Sequence, residues 1–166
     1  MRFLAPRHAA LAALLAPGIQ ACASSSPLVV WNIGESAHMM CSTSSETFSV
    51  DARGRMTYET VRSACGGKDQ GHAVTNCGRL SQPELDDLRA RARMVVEAAD
   101  VREPDCRGPE ANYTRSESLV VDVAGRNRQV SMSWCGPPEA ARPLAEATTR
   151  LKNACLERGE TARPSQ

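Results

Sequence analysis

Apolar and polar residues alternate along several stretches of this chain, and each stretch predicts a strand. Leu28 to Ile33 (LVVWNI) is a short apolar run after Pro27 and reads as the first. From Thr47 to Val50, Phe48 and Val50 point one way. The turn Asp51-Ala52-Arg53-Gly54 follows, and beyond it Met56, Tyr58 and Thr60 alternate with Arg55, Thr57 and Glu59. That is a hairpin with one apolar and one wet face. A glycine-rich loop from Cys65 to His72 leads to Ala73–Leu80, a weaker strand pattern. A second hairpin is predicted where Leu119, Val121 and Val123 turn through Ala124-Gly125 into Val130, Met132 and Trp134.

Two segments switch to helical spacing. Ser81-Gln82-Pro83-Glu84 carries the signs of a helix start: a capping serine, a proline in the first turn and a glutamate that completes a capping box. Leu85, Leu88, Ala92, Val95 and Val96 then fall on one face, with acidic Glu84, Asp86 and Asp87 early and Arg89, Arg91 and Arg93 later, as the helix dipole favours. The arginines read as a solvated face. A second helix opens after Gly136-Pro137-Pro138, with Leu144, Thr148, Leu151 and Cys155 on one face and Gly159 as its expected stop. Asp100 to Arg115 is a polar, proline-containing connection.

This order of elements predicts an α+β fold: an antiparallel sheet of two hairpins plus an N-terminal strand, with two helices packed on its apolar face. Val50-Asp51-Ala52-Arg53-Gly54-Arg55 lines up with Val121-Asp122-Val123-Ala124-Gly125-Arg126, 71 positions on. Either a ββα unit is duplicated, or good hairpin-turn chemistry occurs twice.

Residues ahead of the first strand read differently. In Met1 to Ala23, Arg2 and Arg7 precede an apolar run from Ala9 to Ala16, and Pro17-Gly18 breaks it. This is the layout of an export signal, and the run is too short to span a bilayer. Ile19-Gln20-Ala21-Cys22 resembles the bacterial lipobox, although Gln20 stands where that motif has a small or apolar residue. The resemblance implies cleavage before Cys22 and lipid modification of its thiol, which acyl chains would make a stable anchor. Ala21-Cys22-Ala23 is alternatively an A-x-A site cut before Ser24. Residues 1–21 are therefore expected to be a signal peptide, 22–27 a tether, 28–159 a single domain and 160–166 a loose tail. The order of hairpin, D-x-x-G-type turn, capped helix and second hairpin also resembles small bacterial envelope lipoprotein domains, a group with no assigned activity to carry over.

The 166 residues carry a formal net charge of +1, with 42% hydrophobic and 23% charged residues. Without Arg2 and Arg7 the mature chain has 18 basic and 19 acidic side chains. Such a balance argues against nucleic acid as a partner and against electrostatic attachment to a membrane surface.

Aromatics make up only 4%, so the core is light and needs other support. There are seven cysteines. With Cys22 set apart, Cys41, Cys65, Cys77, Cys106, Cys135 and Cys155 read as three disulfides of an exported chain. No C-x-x-C or H-x-x-x-H spacing marks a metal or redox site. Cys135 and Cys155 cannot pair if they end one helix. Cys65–Cys77 is the expected local bridge around the glycine-rich loop, and Cys106–Cys135 and Cys41–Cys155 follow by elimination.

Candidate chemistry is sparse. His72 could act as a base, but no G-x-S-x-G or S-x-x-K accompanies it, and an ordinary loop histidine is the simpler reading. His38-Met39-Met40-Cys41 offers soft donors for Cu(I), which a disulfide at Cys41 would remove. Asn112-Tyr113-Thr114 is a glycosylation sequon, relevant only to eukaryotic export. No cofactor motif occurs, and no catalytic or metal residue is assigned. The expectation is an extracytoplasmic, lipid-anchored or soluble periplasmic protein that binds an envelope protein or cell-wall component without catalysis. A disulfide-rich protease inhibitor and a small hydrolase using His72 are the alternatives.

Overall fold

A computed structural model describes residues 26–37, 42–64, 71–101, 113–132 and 136–161. The signal segment, Cys22, the His38-Met39-Met40-Cys41 stretch, Cys65, Cys106, Asn112, Trp134, Cys135 and the tail from 162 lie outside the described residues. Six strands form one antiparallel sheet: β1 (Pro27–Ala37), β2 (Ser42–Asp51), β3 (Arg55–Ala64), β4 (Gly71–Arg79), β5 (Tyr113–Val123) and β6 (Arg126–Met132). Their order is β4-β3-β2-β1-β5-β6, so the N-terminal strand lies at the centre with a hairpin on either side. Helix α1 (Gln82–Glu97) connects β4 to β5, and a short 3-10 turn (Glu139–Ala141) leads into α2 (Arg142–Thr161). The α+β architecture expected from the sequence is present, with the weak Ala73–Leu80 pattern realised as a sixth strand.

The alternation of side chains fixes which face is buried. Direct cross-strand partners line up as Val130, Leu119, Trp31, Phe48, Tyr58 and Thr75, one per strand across the sheet. The first five of these are buried, as are Val121, Val29, Val50 and Met56 in the neighbouring row. Directly opposed residues of an antiparallel pair share a face, so these rows form one apolar surface. Leu85, Leu88, Ala92 and Val95 of α1 and Leu144, Ala147, Thr148 and Cys155 of α2 are buried with it in one core. The three described aromatic side chains, Trp31, Phe48 and Tyr58, stand side by side on adjacent strands. These three lie at the middle of the described core.

Helix α1 begins as its sequence predicts. The Ser81 N–H and hydroxyl both donate to Glu84 Oε2, at 2.8 and 2.6 Å. These bonds hold the Glu84 carboxyl below its usual range. Asp87 is likewise lowered, foremost by its hydrogen bond from Arg91 Nε at 2.8 Å. The arginines do more than face solvent. Arg89 donates to Ala52 O in the β2–β3 turn at 2.6 Å, and Arg91 reaches Pro143 O at 3.4 Å. From β6, Arg128 donates to Val95 O and Ala98 O, carbonyls at the end of α1 with no helical partner of their own. Gly159 does not stop α2, which runs two residues further to Thr161. Glycine costs only about 1 kcal/mol inside a helix, so its presence permits a stop without forcing one.

The two V-D-x-x-G-R stretches make different turns. Gly54, at φ +79°, donates its N–H to Asp51 O at 2.9 Å, while Asp51 Oδ1 accepts from Arg53 and Arg55, both at 2.8 Å. In the second turn Val123 pairs with Arg126, and both Ala124 (φ 55°) and Gly125 (φ 79°) are left-handed, as a two-residue hairpin loop requires. Asp122 Oδ1 accepts from Gly125 N at 3.0 Å. An aspartate holding backbone N–H groups is common to both, whereas the loop length is not.

Candidate functional site

The helices cover one face of the sheet, and the opposite face is built from the other half of each strand. One row across it runs Ser131, Ser118, Asn32, Thr47, Glu59 and Val74; the next runs Gln129, Val120, Val30, Ser49, Thr57 and Asn76. Six strands at about 4.8 Å spacing make this surface roughly 24 Å wide. Its short polar side chains bond to one another: Thr47 Oγ1 donates to Asn32 Oδ1 at 3.2 Å, and the Ser49 and Thr57 hydroxyls lie 2.7 Å apart. Val61 and Val74 are its exposed large apolar residues, and among the described residues no aromatic lies on it. The described part of this face mixes hydroxyls and amides with Val30 and Val120, half-buried at its middle.

His72 lies at the β4 edge of this plane. It is opposite Val61, and its Nε2 is 2.6 Å from Glu59 Oε1 on the neighbouring strand. The ring and the carboxylate are both open to solvent, at 58% and 44% exposure. Glu59 was not singled out in the sequence because it lies 13 residues away; only the pairing of β3 with β4 makes it a diagonal neighbour. A carboxylate orients the imidazole as it would a general base, but a base also needs a nucleophile within reach. Among the described residues, no serine hydroxyl is hydrogen-bonded to the ring.

The cysteines are placed differently from the sequence expectation. Cys77 on β4 and Cys155 on α2 are joined, with Cα atoms 5.0 Å apart and a sequence separation of 78. Cys77–Cys155 therefore replaces both Cys65–Cys77 and Cys41–Cys155. The physical reason is the strand pattern: Cys77 is the one buried side chain of β4, pointing inward to meet α2, rather than back toward its own loop. Arg158 reinforces the same junction, reaching Cys77 O at 3.4 Å. The loop at 65–70, the other half of the clasp once expected, lies outside the described residues, as do Cys106 and Cys135.

The helix-side face becomes polar beyond the core. Ile33 is flanked across the sheet by Glu46 and Glu117, and further out Arg115 lies 3.6 Å from Glu35 and 3.5 Å from Glu117. Burial first, and then a hydrogen bond with Glu46, push the Tyr58 phenol well above its usual range. The Trp31 Nε1 is buried without a partner, and Lys152 Nζ lies 5.4 Å from its ring centroid.

Two small cavities are lined by described residues. One of about 180 Å³ lies between α1 and α2, lined by Glu84, Asp87, Leu88, Ala147, Arg150 and Leu151. Another of about 240 Å³ lies where both hairpin turns flank the start of β1, at Ser26, Pro27 and Ala52. Both are below the ~300 Å³ at which small-molecule sites begin. Among the described residues no three His, Cys, Asp or Glu side chains are grouped to hold a metal, and no helix is long and apolar enough to cross a membrane. Comparison with protein-family models, with curated proteins and with solved structures finds no match to this chain.

Proposed function

We propose that this chain is an exported envelope protein, held to a membrane through lipid on Cys22, and that its domain binds or braces rather than catalyses. The observation that carries the proposal is the Cys77–Cys155 bridge, a covalent link between sheet and helix inside the core. Such links persist in oxidising compartments outside the cytoplasm. The signal-like segment and the lipobox resemblance at Cys22 support the same reading. The binding surface is the open face of the sheet, whose rows of hydroxyls and amides suit a polar envelope protein or a cell-wall component.

Fractionation of bacteria producing the full chain tests it. The wild type is expected with the membranes and a Cys22→Ser variant is expected to leave them. A wild-type chain found in the cytoplasm with Met1 retained contradicts the proposal. Placing arginines at Ser45 and Ser131, both exposed and on strands that are not neighbours, tests the surface. In pull-downs of the Cys22→Ser protein with membrane-free envelope material, the pair is expected to abolish binding while leaving thermal stability nearly unchanged; retention equal to that of the unsubstituted face counts against binding there.

A second reading rests on one contact, the Glu59-oriented His72. A hydrolase of this kind would lose all turnover of activated esters in a His72→Ala variant, and turnover equal to wild type would end that reading.

A further inference from the structure

We propose, on the lipid-anchor reading above, that the turn end of the sheet faces the membrane, where a strip of arginines meets anionic lipid headgroups. A near-zero net charge argues against electrostatic attachment only where charge is evenly spread, and in this sheet it is not. Arg53 and Arg55 stand at the β2–β3 turn, Arg79 closes β4, and Arg126 and Arg128 follow the β5–β6 turn. Opposing them are Asp51 and Asp122, each accepting backbone N–H groups of its own turn. The other half of the sheet is acidic, with Glu35, Glu46, Glu59 and Glu117 against Arg62 and Arg115.

Arg128 is bonded to the end of α1, whereas Arg53, Arg55, Arg79 and Arg126 are exposed. Among the described residues, none of these four is in an ion pair. Arg55 and Arg79 are direct cross-strand partners. Like charges so placed repel, and anions laid over them remove that cost. The strip runs from β4 at one edge to β6 at the other, roughly 24 Å across the strands. That is far wider than a single phosphate and matches a surface of phosphate groups.

Chain connectivity selects the bilayer as that surface. Pro27, where β1 begins, pairs with Asp51 at this same end. The chain from Cys22 to Pro27 reaches at most roughly 18 Å. Ala37, at the far end of β1, lies roughly 33 Å along the strand from Pro27. A lipid on Cys22 therefore keeps the arginine end nearest the headgroups and leaves the open face free for a partner.

Vesicle co-sedimentation of the full Cys22→Ser chain, which carries no lipid, tests the strip by itself. At low salt the chain is expected to bind vesicles of equal parts phosphatidylglycerol and phosphatidylcholine. It is expected to leave them in about 1 M NaCl, where charges are screened beyond ~3 Å, and not to bind pure phosphatidylcholine. Each arginine near such a surface is worth about fivefold in binding, so Arg55→Gln with Arg79→Gln should weaken it about 25-fold. The pair should not lower the melting temperature, since it removes a repulsion. Arg62→Gln with Arg115→Gln, an equal change of charge at the other end, should leave binding within about twofold. Equal losses from the two pairs overturn the proposal, as does no binding to the anionic vesicles or equal binding to both kinds. Inorganic phosphate that displaces the chain better than chloride at matched ionic strength marks a single-anion site and overturns it too. A wild-type chain without lipid strikes the anchor, and a failure with vesicles strikes the strip, so the two are told apart.

Discussion

Single positions show where this fold is most sensitive. Phe48 is 1% exposed and stands between Trp31 and Tyr58, so Phe48→Ala opens a cavity at the centre of a core with few large side chains. The expected loss is about 3–5 kcal/mol in denaturant unfolding. Two glycines at φ +79° separate backbone from packing effects. A Cβ at Gly125 meets nothing within 4 Å, so Gly125→Ala reports the left-handed backbone alone, about 1 kcal/mol. At Gly54 an added Cβ lies 3.3 Å from Leu85 Cδ2 and 3.4 Å from Leu80 Cβ, and the loss should be larger. Ala124 carries the same strain already, at φ 55°, and Ala124→Gly is expected to raise stability by up to about 1 kcal/mol. Calorimetry of the three variants checks the order.

At the scale of elements, helix α1 is tied down at both ends by side chains. Glu84 and Asp87 titrate below their ordinary values because Ser81 and Arg91 hydrogen-bond their charged forms. A carboxyl whose folded pKa is depressed contributes stability above its unfolded pKa, about 4, and loses it as pH falls through the folded value. Unfolding midpoints measured from pH 5 to pH 2 should therefore fall, and less steeply in a Glu84→Gln, Asp87→Asn chain. Arg128→Ala leaves the carbonyls of Val95 and Ala98 without that donor and is expected to cost about 1.5–3 kcal/mol.

Elements were legible to different degrees, for physical reasons. Helix α1 was plain because local rules dictate it: a capping box, a proline in the first turn and a five-residue apolar stripe. The first half of β2 was not, since Ser42-Thr43-Ser44-Ser45 has no apolar alternation, and it is a strand because β1 and β3 bond it from both sides. β4 gives a weak signal because an edge strand with a single buried side chain, Cys77, needs little hydrophobicity. The Cys77–Cys155 bridge was illegible, since it depends on α2 returning to the β4 edge, a long-range event that spacing does not encode. Spacing alone does not give Glu59 as the partner of His72, because a diagonal pair exists only in the register of β3 with β4.

Across the described molecule, a light core is fastened by the Cys77–Cys155 link. Serines replacing both Cys77 and Cys155 detach α2 from the sheet edge and open a loop of 78 residues, with an expected loss of about 2–5 kcal/mol. Loss of the bridge without a fall in melting temperature would mean that packing alone holds that helix. On the open face, side chains such as Thr47, Asn32, Ser49 and Thr57 bond to one another instead of joining the core.

The central claim is an exported, lipid-anchored, disulfide-fastened domain, and the intact mass of native protein before and after reduction tests it most directly. The expected result is a chain beginning at Cys22 and carrying diacylglycerol and acyl mass, which gains six hydrogens on reduction. A chain beginning at Met1 whose mass is unchanged by reduction would contradict it.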